Sequence, residues 1–295
     1  MRGVGRAGSA VTIVNALLGG NGCAVGIDLG CRAAVEIRPT PPGEVRRVTI
    51  EPHADTPLVR HSLGAAMRWV RSLGDHDATL TLVSDIPAGV GLKSSSAVSC
   101  AIFEAVAGGL GLRPDPEEIA RRSAELTRAM GLSATGAFDD ALAASAGGMV
   151  LTDNRSDVVV GRGELDADTA VILWIPEGRH PPSSQMAARF AGHAPDGAKA
   201  FAAAQSGRYF EAFESNARTV ERLLGLPYAR LRTKLAAQGS LAVGVTGLGP
   251  ALAAFAPGAR ADAVAAQLPM DSGRILRPKL RPEGGPVQDP GGSRT

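Results

Sequence analysis

Small and β-branched residues run from Ser9 to Val14, and after the break at Gly19-Gly20-Asn21-Gly22 apolar positions resume over Cys23 to Asp28 and Ala33 to Ile37. Such runs between glycine clusters predict strands joined by Gly-rich turns. Pro39, Pro41, Pro42 and Gly43 mark a loop, and Val45 to Ile50 predicts a further strand. Within Leu58 to Leu73, Leu63, Met67 and Val70 recur at helical spacing, which predicts an amphipathic helix. Thr79 to Ser84 alternates as a strand, and the residues that follow, Asp85 to Ser96, form a turn rich in glycine and hydroxyls. A helix begins immediately afterwards, with Val98, Ala101, Ile102, Ala105 and Val106 as its buried stripe until Gly108-Gly109 weakens it. The next helix opens at Asp115, which can cap it, with Pro116 at the first helical position and Glu118 at the capping-box position.

Downstream, Gly147 to Asp153 predicts a strand, and the polar run Asn154 to Asp157 is where one domain gives way to another. Strands near Val171 to Ile175, Leu241 to Val245 and Arg274 to Arg277, with helical material from Ser184 to Leu224, make the chain α+β. The expected division is residues 1–157, residues 158–282 and a flexible tail over 283–295, where glycines cluster after Pro282.

Composition narrows the function classes. With 295 residues, 44% hydrophobic and 20% charged, the chain is globular and long enough for two domains. Lys+Arg 31 against Asp+Glu 29 leaves +2, too balanced for a dedicated nucleic-acid binder. Only Lys93, Lys199, Lys234 and Lys279 are lysines, so a single arginine is by default a solvated surface charge. Cys23, Cys31 and Cys100 have no CxxC spacing, which argues against a zinc site or a disulfide framework and for a reducing cytoplasm. No apolar stretch approaches membrane-spanning length. The five histidines, His53, His61, His76, His180 and His193, lack ligand spacing and are expected on loops or the surface.

The strand, Gly-rich turn and helix start around residues 79–106 form an arrangement that offers backbone N–H groups and a positive dipole end to an anion. Gly89 and Gly91 permit close backbone approach, and the hydroxyls of Ser94, Ser95 and Ser96 fall where a helix N-terminus can bond phosphate or magnesium. The P-loop pattern fails, because Leu92 stands before Lys93 where that pattern needs glycine. A capped helix after a tight turn is the competing, lesser reading of these residues in isolation.

Pro87-x-x-x-Gly91-Leu92-x-Ser94-Ser95 resembles the signature loop of the GHMP kinase superfamily. Ala7 to Asn15 and Val245-Thr246-Gly247-Leu248-Gly249-Pro250 are similar to its first and third motifs, in the right order. Within the superfamily the likeness is to the archaeal-type shikimate kinases, through Thr12 to Ala16, Gly26 to Leu29, Leu92 to Ser99 and above all Thr135-Gly136-Ala137-Phe138-Asp139-Asp140-Ala141.

That resemblance implies the GHMP kinase fold, an N-terminal domain like the second domain of ribosomal protein S5 followed by a ferredoxin-like C-terminal domain, with the nucleotide between them. It implies a small-molecule kinase that uses ATP and Mg2+ on shikimate, with no nucleic-acid or membrane partner. By the family pattern Pro87, Gly89, Gly91, Leu92, Lys93, Ser94, Ser95 and Ser96 hold the nucleotide, and Ser95 with Glu125 holds the metal. Counting back from Gly147-Gly148 makes Asp140 the catalytic aspartate, leaving Asp139 to cap or support. Ser133, Thr135, Gly247 and Gly249 are the expected substrate neighbours, and Arg179, Arg277 and Lys279 are conceivable partners for a carboxylate. Where mevalonate kinase carries a lysine in its first motif, this chain has Ser9-Ala10-Val11, so the resemblance identifies no cation for Asp140. A homoserine, mevalonate or pantoate acceptor, or a non-catalytic ligand-binding role, are the competing readings.

Overall fold

The computed structural model describes residues 1–70, 76–180 and 182–291. Its first half comprises β1 (Arg2–Val14), β2 (Asn21–Pro39), β3 (Val48–Ile50), α1 (Pro57–Trp69), β4 (His76–Ser84), α2 (Ser94–Gly109), α3 (Pro116–Ala129), α4 (Phe138–Ala146), β5 (Met149–Asp153) and β6 (Val158–Gly163). The strands form a six-stranded sheet ordered β3-β4-β2-β5-β6, with β1 also paired to β2. The 19-residue β2 is its spine: residues 21–25 pair with β5 and residues 31–39 with β4. Two strands were expected here, but Gly30 pairs with Gly8 and Ile27 with Ser9, and the register shift between them takes up Asp28 and Leu29. Helix α2 buries eleven of its sixteen residues, as suits a helix apolar on all sides. The predicted helix over Leu58 to Leu73 is seen as α1, and its last three positions lie outside the described residues.

The second half contains β7 (Thr169–Pro176), α5 (Ser183–Phe190), α6 (Ala194–Gln205), α7 (Tyr209–Leu224), α8 (Ala229–Ala236), β8 (Ala242–Val245), β9 (Leu252–Pro257), α9 (Ala261–Ala265) and β10 (Gly273–Leu276). Its antiparallel sheet runs β10-β7-β9-β8, which is the first, second, third and fourth strands in the ferredoxin-like order 4-1-3-2. Phe255 on β9 packs edge-on against Phe213 of α7, with ring centroids 5.3 Å apart.

Two expectations about chain organisation need correction. Strand β6 pairs with β5 and completes the first sheet, so the polar run Asn154 to Asp157 is a hairpin turn rather than the place where the second sheet takes over. Residues after Pro282 were expected to form a flexible tail, yet those described dock on the first half. Arg6 donates to Asp289 at 2.7 Å, Gly284 N to Ala146 O at 2.8 Å, and Gly291 N to Asp85 at 3.2 Å. Just before them, Arg281 N bonds Gly26 O at 2.9 Å and Asp28 N bonds Lys279 O at 3.0 Å, filling the stretch of β2 between its β5 and β4 partners. The Arg281 guanidinium is buried and donates to the last carbonyls of α4, those of Ala143, Ala144 and Ser145. A cation at a helix C-terminus is favoured by the dipole and satisfies carbonyls that have no partner within the helix. Cys23, Cys31 and Cys100 are buried and unpaired. Among the described residues, no helix is long and apolar enough to cross a membrane.

Candidate active site

The loop between β4 and α2 is shaped by three residues in the left-handed region, Gly89 at φ +74°, Gly91 at +88° and Lys93 at +62°. Gly91 has no alternative, since a Cβ there would lie 2.2 Å from the carbonyl oxygen of Thr246. The loop is bolted to the glycine-rich turn after β8 and to β1: Thr246 donates to Gly91 O at 3.3 Å, Ala251 N to Val90 O at 3.1 Å, and Ser9 to Leu92 O at 2.7 Å. These bonds offset the cost of a non-glycine left-handed residue at Lys93, which starts α2 with no side-chain cap. The first N–H to find an acceptor at this helix end is that of Ala97, on Lys93 O. The N–H groups of Ser94, Ser95 and Ser96 precede it, as in any helix start.

Those three serines open onto a cavity of about 260 Å³ that also takes in Gly89, Gly91, Leu92 and Lys93. Its far side is the first turn of α4. The Lys93 Nζ lies 3.2 Å from Asp140 Oδ2, with both side chains largely buried. The other carboxylate oxygen, Asp140 Oδ1, is buried without a hydrogen-bond partner, and so is Thr12 Oγ1 on β1. Both residues line the cavity. Burial pushes the Asp140 carboxyl up from its ordinary value, while the neighbouring Lys93 pulls it down.

Asp139 also borders the cavity, but its carboxylate is engaged where that of Asp140 is open. Asn154 Nδ2 donates to its Oδ1 at 2.7 Å, and Asn154 Oδ1 in turn accepts from Thr152 at 2.6 Å. Burial, then the neighbouring Asp140 charge, pushes Asp139 up to about 7, against the pull of Asn154. Neither aspartate caps α4, whose N-cap is Ala137 in the left-handed conformation with no side-chain bond. The capping role expected of Asp139 is therefore replaced by a buried bond to the β5–β6 turn.

The remaining expected residues divide. Ser133, Thr135 and Gly247 line the cavity. Pro87 and Gly249 do not; Gly249 N bonds Thr246 O at 2.9 Å and shapes the turn behind the loop. Glu125 is a clear miss: it is exposed, pairs with Arg122 at 3.1 Å and borders a groove beside Trp69. Two residues further along, about 200° around the helix, Thr127 faces the cavity and donates to Gly136 O at 3.0 Å. Among the described residues no group of three His, Cys, Asp or Glu could hold a metal ion. Arg277 pairs with Asp262, and with Lys279 it borders a different cavity, while Arg179 lies over Gly89.

Lys93 and His180 each add something the sequence did not show. Lys93, expected at the nucleotide, lines the cavity with the rest of the loop, and its ammonium sits on Asp140, supplying from the loop the cation that Ser9-Ala10-Val11 cannot. His180, expected on a loop or the surface, is on a loop, but one that lines the cavity, with its backbone N on Gly89 O at 2.9 Å. No local pattern marks it, because β7 delivers it from the second half of the chain.

Residues 60–148 match the family described as the GHMP kinases N terminal domain. The chain is similar to a shikimate kinase of Pyrococcus abyssi, 36% identical over 87% of this chain and 92% of that protein. It is also similar to a shikimate kinase of Pyrococcus furiosus, 34% identical over 86% and 92%. The Methanococcus jannaschii mevalonate kinase structure shares the fold at TM-score 0.74 and 13% identity, over 94% of this chain and 98% of that one. The identity, its extent and the shared fold place the chain within the GHMP kinases, as a member of their shikimate kinase family.

Proposed function

We propose that this chain transfers the γ-phosphoryl group of ATP to the 3-hydroxyl of shikimate, giving shikimate 3-phosphate and ADP. The observation that carries this reading is the unpartnered Asp140 Oδ1, facing a cavity whose opposite wall is the uncapped start of α2. Phosphoryl transfer asks the protein chiefly for positioning and charge neutralisation. The N–H groups and hydroxyls of Ser94 to Ser96 receive the triphosphate. The acceptor hydroxyl donates to Asp140 Oδ1, which takes its proton as the oxygen attacks the γ-phosphorus and the bond to the β-phosphate oxygen breaks. Lys93, already on Oδ2, holds the carboxylate in place and offsets charge gathering beside it.

Magnesium, when bound, neutralises the triphosphate. The donor set fits an ion that rests mainly on phosphate oxygens and water, with the exposed Ser95 hydroxyl as the protein ligand, since Glu125 is out of reach. The names of the relatives support shikimate as the acceptor, and with it we propose a place in chorismate and aromatic amino acid synthesis in the cytoplasm. The test is incubation with Mg-ATP and shikimate, homoserine, mevalonate or pantoate, with detection of ADP and the phosphorylated product. Turnover of shikimate is expected; turnover of homoserine or mevalonate without shikimate would overturn the assignment.

A further inference from the structure

A second cavity of about 430 Å³ adjoins the first and shares Ala16, Leu17 and Thr135 with it. Two arginines border it. Arg128 is occupied, by an ion pair with Asp157 and a 3.1 Å bond to Thr135 O. Arg155 is not: among the described residues its side chain makes no ion pair and no hydrogen bond, and only its backbone N is engaged, with Asp153 Oδ1 at 3.0 Å. The two carboxylates nearest in sequence are engaged, Asp153 by that bond and by Ser156 at 3.0 Å, Asp157 by Arg128.

The base of this arginine is fixed by the catalytic helix itself. Its neighbour Asn154 bonds Asp139 at 2.7 Å and, through its backbone N, Gly20 O at 2.9 Å. The side chain lies close against Gly20, where a Cβ would sit 2.6 Å from Nε. The other basic side chains at the site have different stations. Lys93 holds Asp140, Arg179 lies on the phosphate loop at Gly89, and His180 faces Asp140.

Building on the shikimate reading, we infer that Arg155 is the carboxylate-binding residue of the acceptor subsite, gripping the acid group across the edge formed by Ala16, Leu17 and Thr135. A guanidinium presents two parallel N–H groups to a carboxylate, and it is the side chain best suited to hold one in a partly wet cleft. Specificity for a hydroxy acid over a neutral polyol then resides in the β5–β6 turn rather than in the phosphate loop.

The test compares wild type, Arg155→Gln and Arg155→Lys on shikimate and on its neutral methyl ester. For shikimate the glutamine variant raises KM at least tenfold, with kcat and the KM for ATP within about threefold; lysine recovers part of the loss. For the methyl ester, wild type and Arg155→Gln have the same kcat/KM. Equal losses on acid and ester would make Arg155 merely structural, and a raised KM for ATP would move it to the nucleotide; either result overturns the inference, as does an unchanged KM for shikimate. If wild type ignores shikimate but phosphorylates homoserine or pantoate, the substrate reading fails by itself. The same comparison on that acid and its ester then decides the role of Arg155.

Discussion

Helix α3 and the two helices that meet at the cavity begin in opposite ways. Asp115 caps α3 by accepting from Glu117 N at 2.7 Å, Pro116 follows, and Glu117 and Glu118 occupy the first turn. Helices α2 and α4 start on Lys93 and Ala137, left-handed residues without side-chain caps. Where the helix only supports, the chain satisfies its own N–H groups. At α2, where we propose that phosphate is held, those groups are left for it, and the strain of the unusual start is carried by bonds from Ser9, Thr246 and Ala251; at α4 Asn154 Oδ1 already accepts from Asp139 N at 3.3 Å.

The sharpest way to break this contrast is at Asp140. Asp140→Asn keeps the shape of the side chain but cannot take the acceptor proton, so kcat is expected to fall on the order of a thousandfold while nucleotide affinity persists. Steady-state kinetics with a fluorescent nucleotide titration checks both. If Asp139→Asn proves the more damaging to turnover, with both variants folded, the roles of the two aspartates are reversed.

Next in size is a matched pair of truncations at the two kinds of helix start. Ser95→Ala should cost turnover on the order of 3 kcal/mol in the barrier, about a hundredfold, and leave thermal stability close to wild type. Asp115→Ala should do the reverse, lowering stability by about 1 kcal/mol with kcat unchanged. Denaturant melts and kinetics on both variants decide; similar behaviour of the two would dissolve the contrast.

The last effect is read as a slope against pH rather than as a loss at one pH. Asp139 titrates at about 7 in the fold against an ordinary 3.8, so between these values the folded chain holds a proton that the unfolded chain has lost. Its contribution to stability is therefore complete below about pH 4 and is lost as pH rises through 7, with a slope of at most about 1.4 kcal/mol per pH unit. Asp139→Asn accepts from Asn154 without ionising, so it should flatten that slope and retain measurable turnover. A variant whose stability keeps the wild-type slope between pH 4 and 7 would show that another group titrates there.

Much of the scaffold was legible because its signals are local. The cap and proline of α3, the alternation of β4 and the glycine and serine turn before α2 are each written within a dozen residues. Strand β9 was not anticipated, since Leu252 to Pro257 is largely alanine and its strand character comes from lying between β7 and β8. Within the site, the order of motifs led to Asp140 and the loop, but the Lys93–Asp140 pair joins distant segments and leaves no mark in either. Glu125 failed for a geometric reason: a carboxylate at roughly the right distance along the chain is on the wrong side of its helix, and no spacing argument that ignores the helical face could tell.

The anchoring of α4 by Arg281 bears on the order of assembly. The neighbouring contact, Lys279 N to Asp28 Oδ1 at 2.8 Å, joins residues 251 apart in sequence. Closing so long a loop is entropically unfavourable until intervening segments have collected into their own structure, so contacts of this range form late. The first sheet can therefore be laid down early with the middle of β2 and the last carbonyls of α4 still facing water, and the second sheet must largely exist before residues 279–285 can be delivered to them. The helix that carries Asp140 thus gains its final restraint near the end of folding, from a stretch of chain that follows β10.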